Sequence, residues 1–244
     1  MTGFCEYKKN GMTNTNEYEK TRDLSQVNTV LFDFDGTLLD SNALIADCLR
    51  HTVKTLASRG ISDEEIRSTF GELLADSMRR LMPDVEAEYA LDFFRDYQRE
   101  IFLDRISLFD GTEETLRVLK AAGYKTALVT SRMKGSTERA LTFFGIGGFF
   151  DAVLTASDTE KFKPDPDPIF TILDMIGSRP GEAIYIGDTE HDIEAGRAAG
   201  VITVLVDWSL ALPPGKRADT PAPDIIIHEL GDIAKLLGIK NNGF

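Results

Sequence analysis

Cysteine is nearly absent from the 244 residues: only Cys5 and Cys48 occur, far apart and outside any metal-spaced cluster. Neither a disulfide framework nor a zinc site is therefore indicated, and a reducing, cytoplasmic setting is expected. Positive charge is also scarce. Lys and Arg number 27 against 40 Asp and Glu, a formal net charge of -13, and the basic residues are scattered singly or in pairs. Such a surface repels a nucleic-acid backbone or an anionic membrane, so neither is an expected partner. No apolar run approaches the length of a membrane span, and the N-terminus lacks the charged-then-apolar order of a signal peptide. Low-complexity tracts and internal repeats are missing as well.

Hydrophobic residues make up 42% of the chain, enough for one full core and a smaller second module. Residues 1–27 are polar and rich in Asn and Thr, and are expected to form a poorly ordered extension. Asn28-Thr29-Val30-Leu31-Phe32 then reads as a buried strand leaving the sheet through the turn Asp33-Phe34-Asp35-Gly36-Thr37. Similar short apolar runs follow at 126–130, 152–155, 183–187 and 202–206, with helical patterns at about 112–122, 135–144, 166–177 and 190–199. This alternation implies an α/β fold, a Rossmann-like doubly wound parallel sheet with helices on both faces. The catalytic core is expected over 28–41 and 108–244.

Residues 42–107 break the alternation. Leu44, Ile45, Cys48, Leu49, Val53 and Leu56 fall at helical spacing, and later segments do the same without a strand-like run. The spacing predicts an inserted helical cap lying over the carboxyl edge of the sheet, where open parallel sheets bind their ligands.

Asp33 and Asp35 are two apart, so an extended chain projects both carboxylates to one side. Crowded together they raise each other's pKa unless a cation separates them, and hard oxygen ligands suit Mg2+. The bland alternative is an Asp-Gly turn. Thr130 ends the second strand, followed by Ser131 and Arg132, and a hydroxyl and backbone N–H groups there can hold phosphate oxygens. Lys163 lies in Lys161-Phe162-Lys163-Pro164-Asp165-Pro166, a loop stiffened by proline. Asp188 follows a further strand, and Asp192 is one helical turn on, a position also open to simple helix-dipole compensation. A phosphate dianion about 3.5 Å from a carboxylate is opposed by roughly 9 kcal/mol at an effective dielectric of about 20. Attack by Asp33 therefore needs positive charge nearby, which Mg2+ between Asp33, Asp188 and the phosphate supplies, with Lys163 opposite. Gly36, Thr37, Thr130, Ser131, Arg132 and Lys163 are the candidate substrate-binding residues, and Asp33, Asp35, Thr130 and Lys163 the candidate catalytic ones.

Taken in order, Asp33-Phe34-Asp35-Gly36-Thr37-Leu38, Thr130, Lys163 and Gly187-Asp188 through Asp192 resemble the motifs of the haloacid dehalogenase superfamily, a likeness covering about residues 29–236. The resemblance implies Asp33 as nucleophile and metal ligand, and Asp35 as acid/base that also offers its backbone carbonyl to Mg2+. Thr130 and Lys163 would hold the phosphoryl group, Asp188 would ligate the metal, and Asp192 would support it. Asp35 is the residue of the superfamily's phosphatases and mutases, which argues against carbon–halogen cleavage. The insert is similar to the small cap of the phosphoglycolate phosphatase and beta-phosphoglucomutase group, with specificity expected from Phe70-Gly71-Glu72-Leu73-Leu74 and Arg79 or Arg80. That group tends to have proline where Leu73 stands, and its mutases a histidine where this chain has Ile45. A hydrolase of a small phosphorylated metabolite is the resulting expectation, with pyrophosphatase, sugar-phosphate or nucleotide phosphatase, and mutase as alternatives. A phosphoacceptor receiver domain or a non-catalytic binding protein is the reading from another class.

Overall fold

The computed structural model describes residues 23–70, 74–212 and 221–239. Most of the polar extension therefore lies outside the described residues, as do Cys5 and the loop positions Gly71, Glu72 and Leu73. Six parallel strands form the main sheet, in the order β5-β4-β1-β6-β7-β8. They are β1 (Thr29–Phe32), β4 (Lys125–Val129), β5 (Ala152–Leu154), β6 (Ala183–Gly187), β7 (Ile202–Val206) and β8 (Ile225–Ile227). The sheet departs from β1 in both directions, so the ends of β1, β4 and β6 meet where the strand order reverses.

Alternate residues of these strands feed two cores. Val30, Phe32, Leu128, Ile186 and Val204 pack on one face. Leu31, Ala127, Val129 and Tyr185 pack on the other, against Ile169, Ile172 and Leu173 of α7 (Asp167–Ile176) and Ala195 and Ala199 of α8 (Glu190–Ala199). Both faces being covered explains why the strands read as continuous apolar runs rather than alternating ones. Helices α5 (Thr112–Ala121), α6 (Lys134–Phe143) and α9 (Asp232–Leu236) complete the layers. The expected helix positions agree with the structure to within a residue or two. The sequence reading missed β8 and α9, which are three and five residues long and carry too little periodicity to be recognised.

Between β2 (Leu39–Asp40) and β3 (Ser107–Leu108) the chain forms α1 (Asn42–Leu56), α2 (Asp63–Arg67), α3 (Leu74–Leu81) and α4 (Ala87–Ile101). The two short strands pair antiparallel, Leu39 opposite Leu108 and Asp40 opposite Ser107, so the way into this helical segment and the way out lie side by side. Its apolar stripes bury Leu44, Leu49, Val53, Met78 and Phe94. Fully burying a side chain of this kind contributes about 1.5–3 kcal/mol. No helix among the described residues is long and apolar enough to cross a membrane.

Candidate active site

Strand register brings the candidate residues together. Phe32 lies level with Leu128 on one side and Ile186 on the other, so the residues that follow each strand emerge at one edge. Asp33 still belongs to the ladder, its N–H donating to the Ile186 carbonyl at 2.8 Å. The chain then turns, with the Phe34 carbonyl accepting from the N–H groups of Leu38 and Leu39. Gly36 makes this turn possible: its φ is +81°, and a Cβ there would come within 2.2 Å of Asp188 Oδ2.

Lys163 is the centre of the cluster. Its side chain is 8% exposed, and its Nζ donates to Asp33 Oδ1 at 2.6 Å, Asp192 Oδ1 at 2.7 Å and the Tyr185 hydroxyl at 3.0 Å. Tyr185 in turn donates to Asp192 Oδ1 at 2.8 Å. The other oxygen of Asp192 accepts from the N–H of Asp188 (3.2 Å), the N–H of Thr189 (3.0 Å) and the Thr189 hydroxyl (2.7 Å). Protein donors thus occupy both oxygens of Asp192. Asp188 is buried and receives Ser209 Oγ at 3.3 Å on its carboxylate, while the same hydroxyl donates to its backbone carbonyl at 2.6 Å.

Asp33, Asp188 and Asp192 each offer a carboxylate oxygen within 4.8 Å of the others. Burial pushes Asp33 up to about 7 despite the opposing charge of Lys163. Asp188 is also pushed well up by burial, then by Asp33 and Asp192 beside it. Burial acts on Asp192 too, but Lys163 together with the hydrogen bonds from Thr189 and Tyr185 holds that carboxyl below its usual range. One lysine therefore serves three buried acids, and the cluster is short of positive charge. This donor set, carboxylate oxygens in a charge-deficient pocket, fits a hard divalent cation.

Asp35 stands apart from that triad. Arg132 grips it with two prongs, Nε to Oδ2 at 2.9 Å and Nη2 to Oδ1 at 2.6 Å, and Ser41 Oγ donates to Oδ1 at 2.6 Å. Burial works to raise Asp35, yet the Arg132 guanidinium, the Ser41 hydroxyl and the charge of Lys163 together lower its pKa. The shared space expected for Asp33 and Asp35 is thus divided between separate cationic partners. Thr130 is buried, with Oγ1 accepting from the Arg132 N–H at 3.1 Å, whereas Ser131 is exposed. The Thr37 hydroxyl is buried with no hydrogen-bond partner among the described residues. A small recess lined by Thr130, Ser131, Thr155, Lys161, Phe162 and Lys163 adjoins the cluster.

Sequence reasoning passed over Ser41, Tyr185, Thr189 and Ser209. Only Tyr185 left a signal, since a buried tyrosine in an apolar strand needs a partner for its hydroxyl. In the helical segment, Phe70 and Leu74 are partly buried against the core, and Arg79 is 63% exposed and bound to Asp76 at 2.6 Å.

The site is a lysine-centred acid cluster at the carboxyl edge of a six-stranded parallel sheet, and comparison with known proteins gives its class and family. The family model described as haloacid dehalogenase-like hydrolase matches residues 30–206. Pyrophosphatase PpaX of Bacillus cereus is 32% identical over 218 residues, 88% of this chain and 99% of that protein. A structure from Haemophilus somnus described as a predicted phosphoglycolate phosphatase is 25% identical, with a TM-score of 0.75 over 86% of this chain and 98% of that one. A haloacid dehalogenase-like family hydrolase from Streptococcus pneumoniae, 23% identical, has the same fold with a TM-score of 0.77 over 86% of this chain and 98% of its own. The chain belongs to the haloacid dehalogenase-like hydrolase family.

Proposed function

We propose that this phosphoric ester hydrolase is a Mg2+-dependent phosphatase that cleaves a small phosphorylated metabolite by way of a phosphoryl group carried on Asp33. The observation that carries the reading is the bridge made by Lys163 between Asp33 and Asp192, with Asp188 beside them. It holds one carboxylate oxygen of Asp33 in place and sets a cation next to the path of an incoming phosphate. Asp33 and Asp188 would hold the metal, with the Asp35 backbone carbonyl, while Asp192, its oxygens already engaged, orients Lys163 and the start of α8. Bound Mg2+ supplies the positive charge that lets an anionic nucleophile meet an anionic ester.

The remaining steps fall to the chain itself. Lys163 and the Thr130 hydroxyl take the phosphoryl oxygens, joined by the Ser131 N–H, whereas the N–H groups of Gly36 and Thr37, also candidates for phosphate, donate to the Leu39 and Phe34 carbonyls and shape the turn. Asp33 attacks phosphorus; Asp35, once it has left the Arg132 and Ser41 contacts that hold it ionised and has taken a proton from solvent, gives that proton to the departing oxygen, then takes one from the water that frees Asp33. Residues 42–107 act as the cap over the leaving group, and 28–41 with 108–244 as the core. Inorganic pyrophosphate is the first substrate to consider, supported by the Bacillus cereus relative. Phosphoglycolate is the second, supported by the Haemophilus somnus likeness.

The test is phosphate release from a panel holding both compounds, sugar phosphates and nucleotides, with Mg2+ and after exhaustive chelation. One or a few small substrates turning over only with the metal supports the reading. Undiminished turnover after chelation, or no hydrolysis of any member, contradicts it.

A further inference from the structure

The chain that follows β7 reaches both acid-bearing turns. Trp208 Nε1 donates to the Gly36 carbonyl at 3.2 Å, and the neighbouring Ser209 Oγ donates to the Asp188 carbonyl at 2.6 Å and to Asp188 Oδ2 at 3.3 Å. Ser209 is 4% exposed, and its Oγ accepts from the Leu212 N–H at 2.9 Å. Leu212 is itself buried, packed with Leu205 of β7 and Ile193 of α8. A hydroxyl has one proton to give, and with a lone pair taken by Leu212 that proton is directed at Asp188. Gly36 stands against the same carboxylate oxygen, since a Cβ there would lie 2.2 Å from Asp188 Oδ2. The dipeptide Trp208-Ser209 therefore fixes Asp188 Oδ2 from two sides, through the Gly36 peptide and through its own hydroxyl. Among the described residues no other group donates to the Asp188 carboxylate.

We propose that Ser209, braced by Trp208, is a positioning residue for the divalent-cation site: its hydroxyl sets the rotation of the Asp188 carboxylate so that one oxygen stays turned toward Asp33. Without that hydroxyl the carboxylate keeps only the wall made by Gly36 and is free to turn, so orienting it must be done at the expense of cation affinity. Asp192 needs no such help, because protein donors already occupy both of its oxygens. The inference rests on the reading that Asp33 and Asp188 hold Mg2+, and the experiment separates the two.

Mg2+ is titrated calorimetrically into the substrate-free protein and into Ser209→Ala, Ser209→Thr, Trp208→Phe, Asp188→Asn and Ser178→Ala, each checked by thermal melting. Ser178→Ala is the control for stability alone. The Ser178 hydroxyl pairs with Thr29 Oγ1 at 2.7 Å, at the opposite end of β1 from Asp33. Ser209→Ala should weaken Mg2+ binding by about tenfold or more. Ser209→Thr, which keeps the hydroxyl, should recover most of that loss, and Trp208→Phe, which keeps a ring and loses the N–H, should weaken binding less. Ser178→Ala should bind as wild type. In hydrolysis of p-nitrophenyl phosphate, the half-saturating Mg2+ concentration of Ser209→Ala should rise by the same factor as its dissociation constant. If Ser209→Ala does not fold, Ser209→Cys takes its place under the same criteria, a thiol being a weak donor. Wild-type Mg2+ affinity in Ser209→Ala, with affinity lost in Asp188→Asn, overturns the positioning role and leaves Asp188 as a ligand. Weakening by an equal factor in Ser178→Ala overturns it as well. Wild-type affinity in Asp188→Asn overturns the metal reading, and the inference with it.

Discussion

At the scale of single residues, Gly36 shows how tightly the acid cluster is built. Its φ of +81° belongs to the left-handed region, and the room a side chain would need is filled by the Asp188 carboxylate. Gly36→Ala meets both obstacles: the left-handed backbone alone costs about 1–2 kcal/mol. The contact with Asp188 must then be relieved by moving that carboxylate or the turn. The expected outcome is a lower melting temperature and an additional loss of Mg2+ affinity, measured by calorimetric titration. Wild-type Mg2+ binding in a folded Gly36→Ala protein would show that Asp188 takes no part in holding the ion.

At the scale of elements, the start of α8 does two tasks at once. Thr189 caps the helix by accepting from the Asp192 N–H at 3.3 Å, and its hydroxyl donates to the Asp192 carboxylate at 2.7 Å. Thr189→Ala should therefore cost about 1 kcal/mol as a lost cap. It also leaves Asp192 freer to turn away from Lys163, so kcat should fall further than a stability loss of that size accounts for, with Thr189→Ser restoring both. Equal kcat for Thr189→Ala and wild type would confine this threonine to capping. The strands and helices that place the cluster were legible because each is a short apolar run or a periodic stripe ended by a polar signal, as Val30-Leu31-Phe32 is ended by Asp33. Asp188 and Asp192 were visible because they follow such a run, and Lys163 because it lies in a loop stiffened by Pro164 and Pro166. Ser41, Trp208 and Ser209 were not, since their roles come from contacts across 6, 172 and 21 residues of chain that no local pattern records. Tyr185, the one polar-tipped residue of its apolar strand, signalled a buried partner without showing which. The division of Asp33 and Asp35 between Lys163 and Arg132 likewise depends on packing, because spacing alone puts both carboxylates on one side of the chain.

At the scale of the whole molecule, the acid cluster trades stability for the capacity to hold charge. The Asp33 carboxyl stands at about 7 in the folded protein against an ordinary 3.8, and Asp188 is raised as well. Between these values the unfolded chain has released protons that the folded chain keeps, so stability falls as pH rises through this window. Asp35 and Asp192 are lowered instead, and their stabilising contribution is complete once pH exceeds the ordinary carboxylate range. Above the ordinary carboxylate range and up to about pH 7 the raised pair therefore sets this cluster's share of the slope. On the proposed reading, Mg2+ would bind the ionised carboxylates and reverse that loss. The rise in Tm on adding saturating Mg2+ should accordingly be larger at pH 8 than at pH 5.5, and equal rises would contradict the placing of the ion among these acids. The central claim, that Asp33 carries the phosphoryl group during turnover, is tested most directly by trapping. The enzyme is quenched in acid during steady-state hydrolysis of its best substrate, reduced with borohydride to convert an acyl phosphate into homoserine, digested and read by peptide mass. The account predicts homoserine at position 33 alone, formed only when Mg2+ and substrate are both present. Sustained turnover with position 33 unmodified, or modification at another acidic residue, would contradict it.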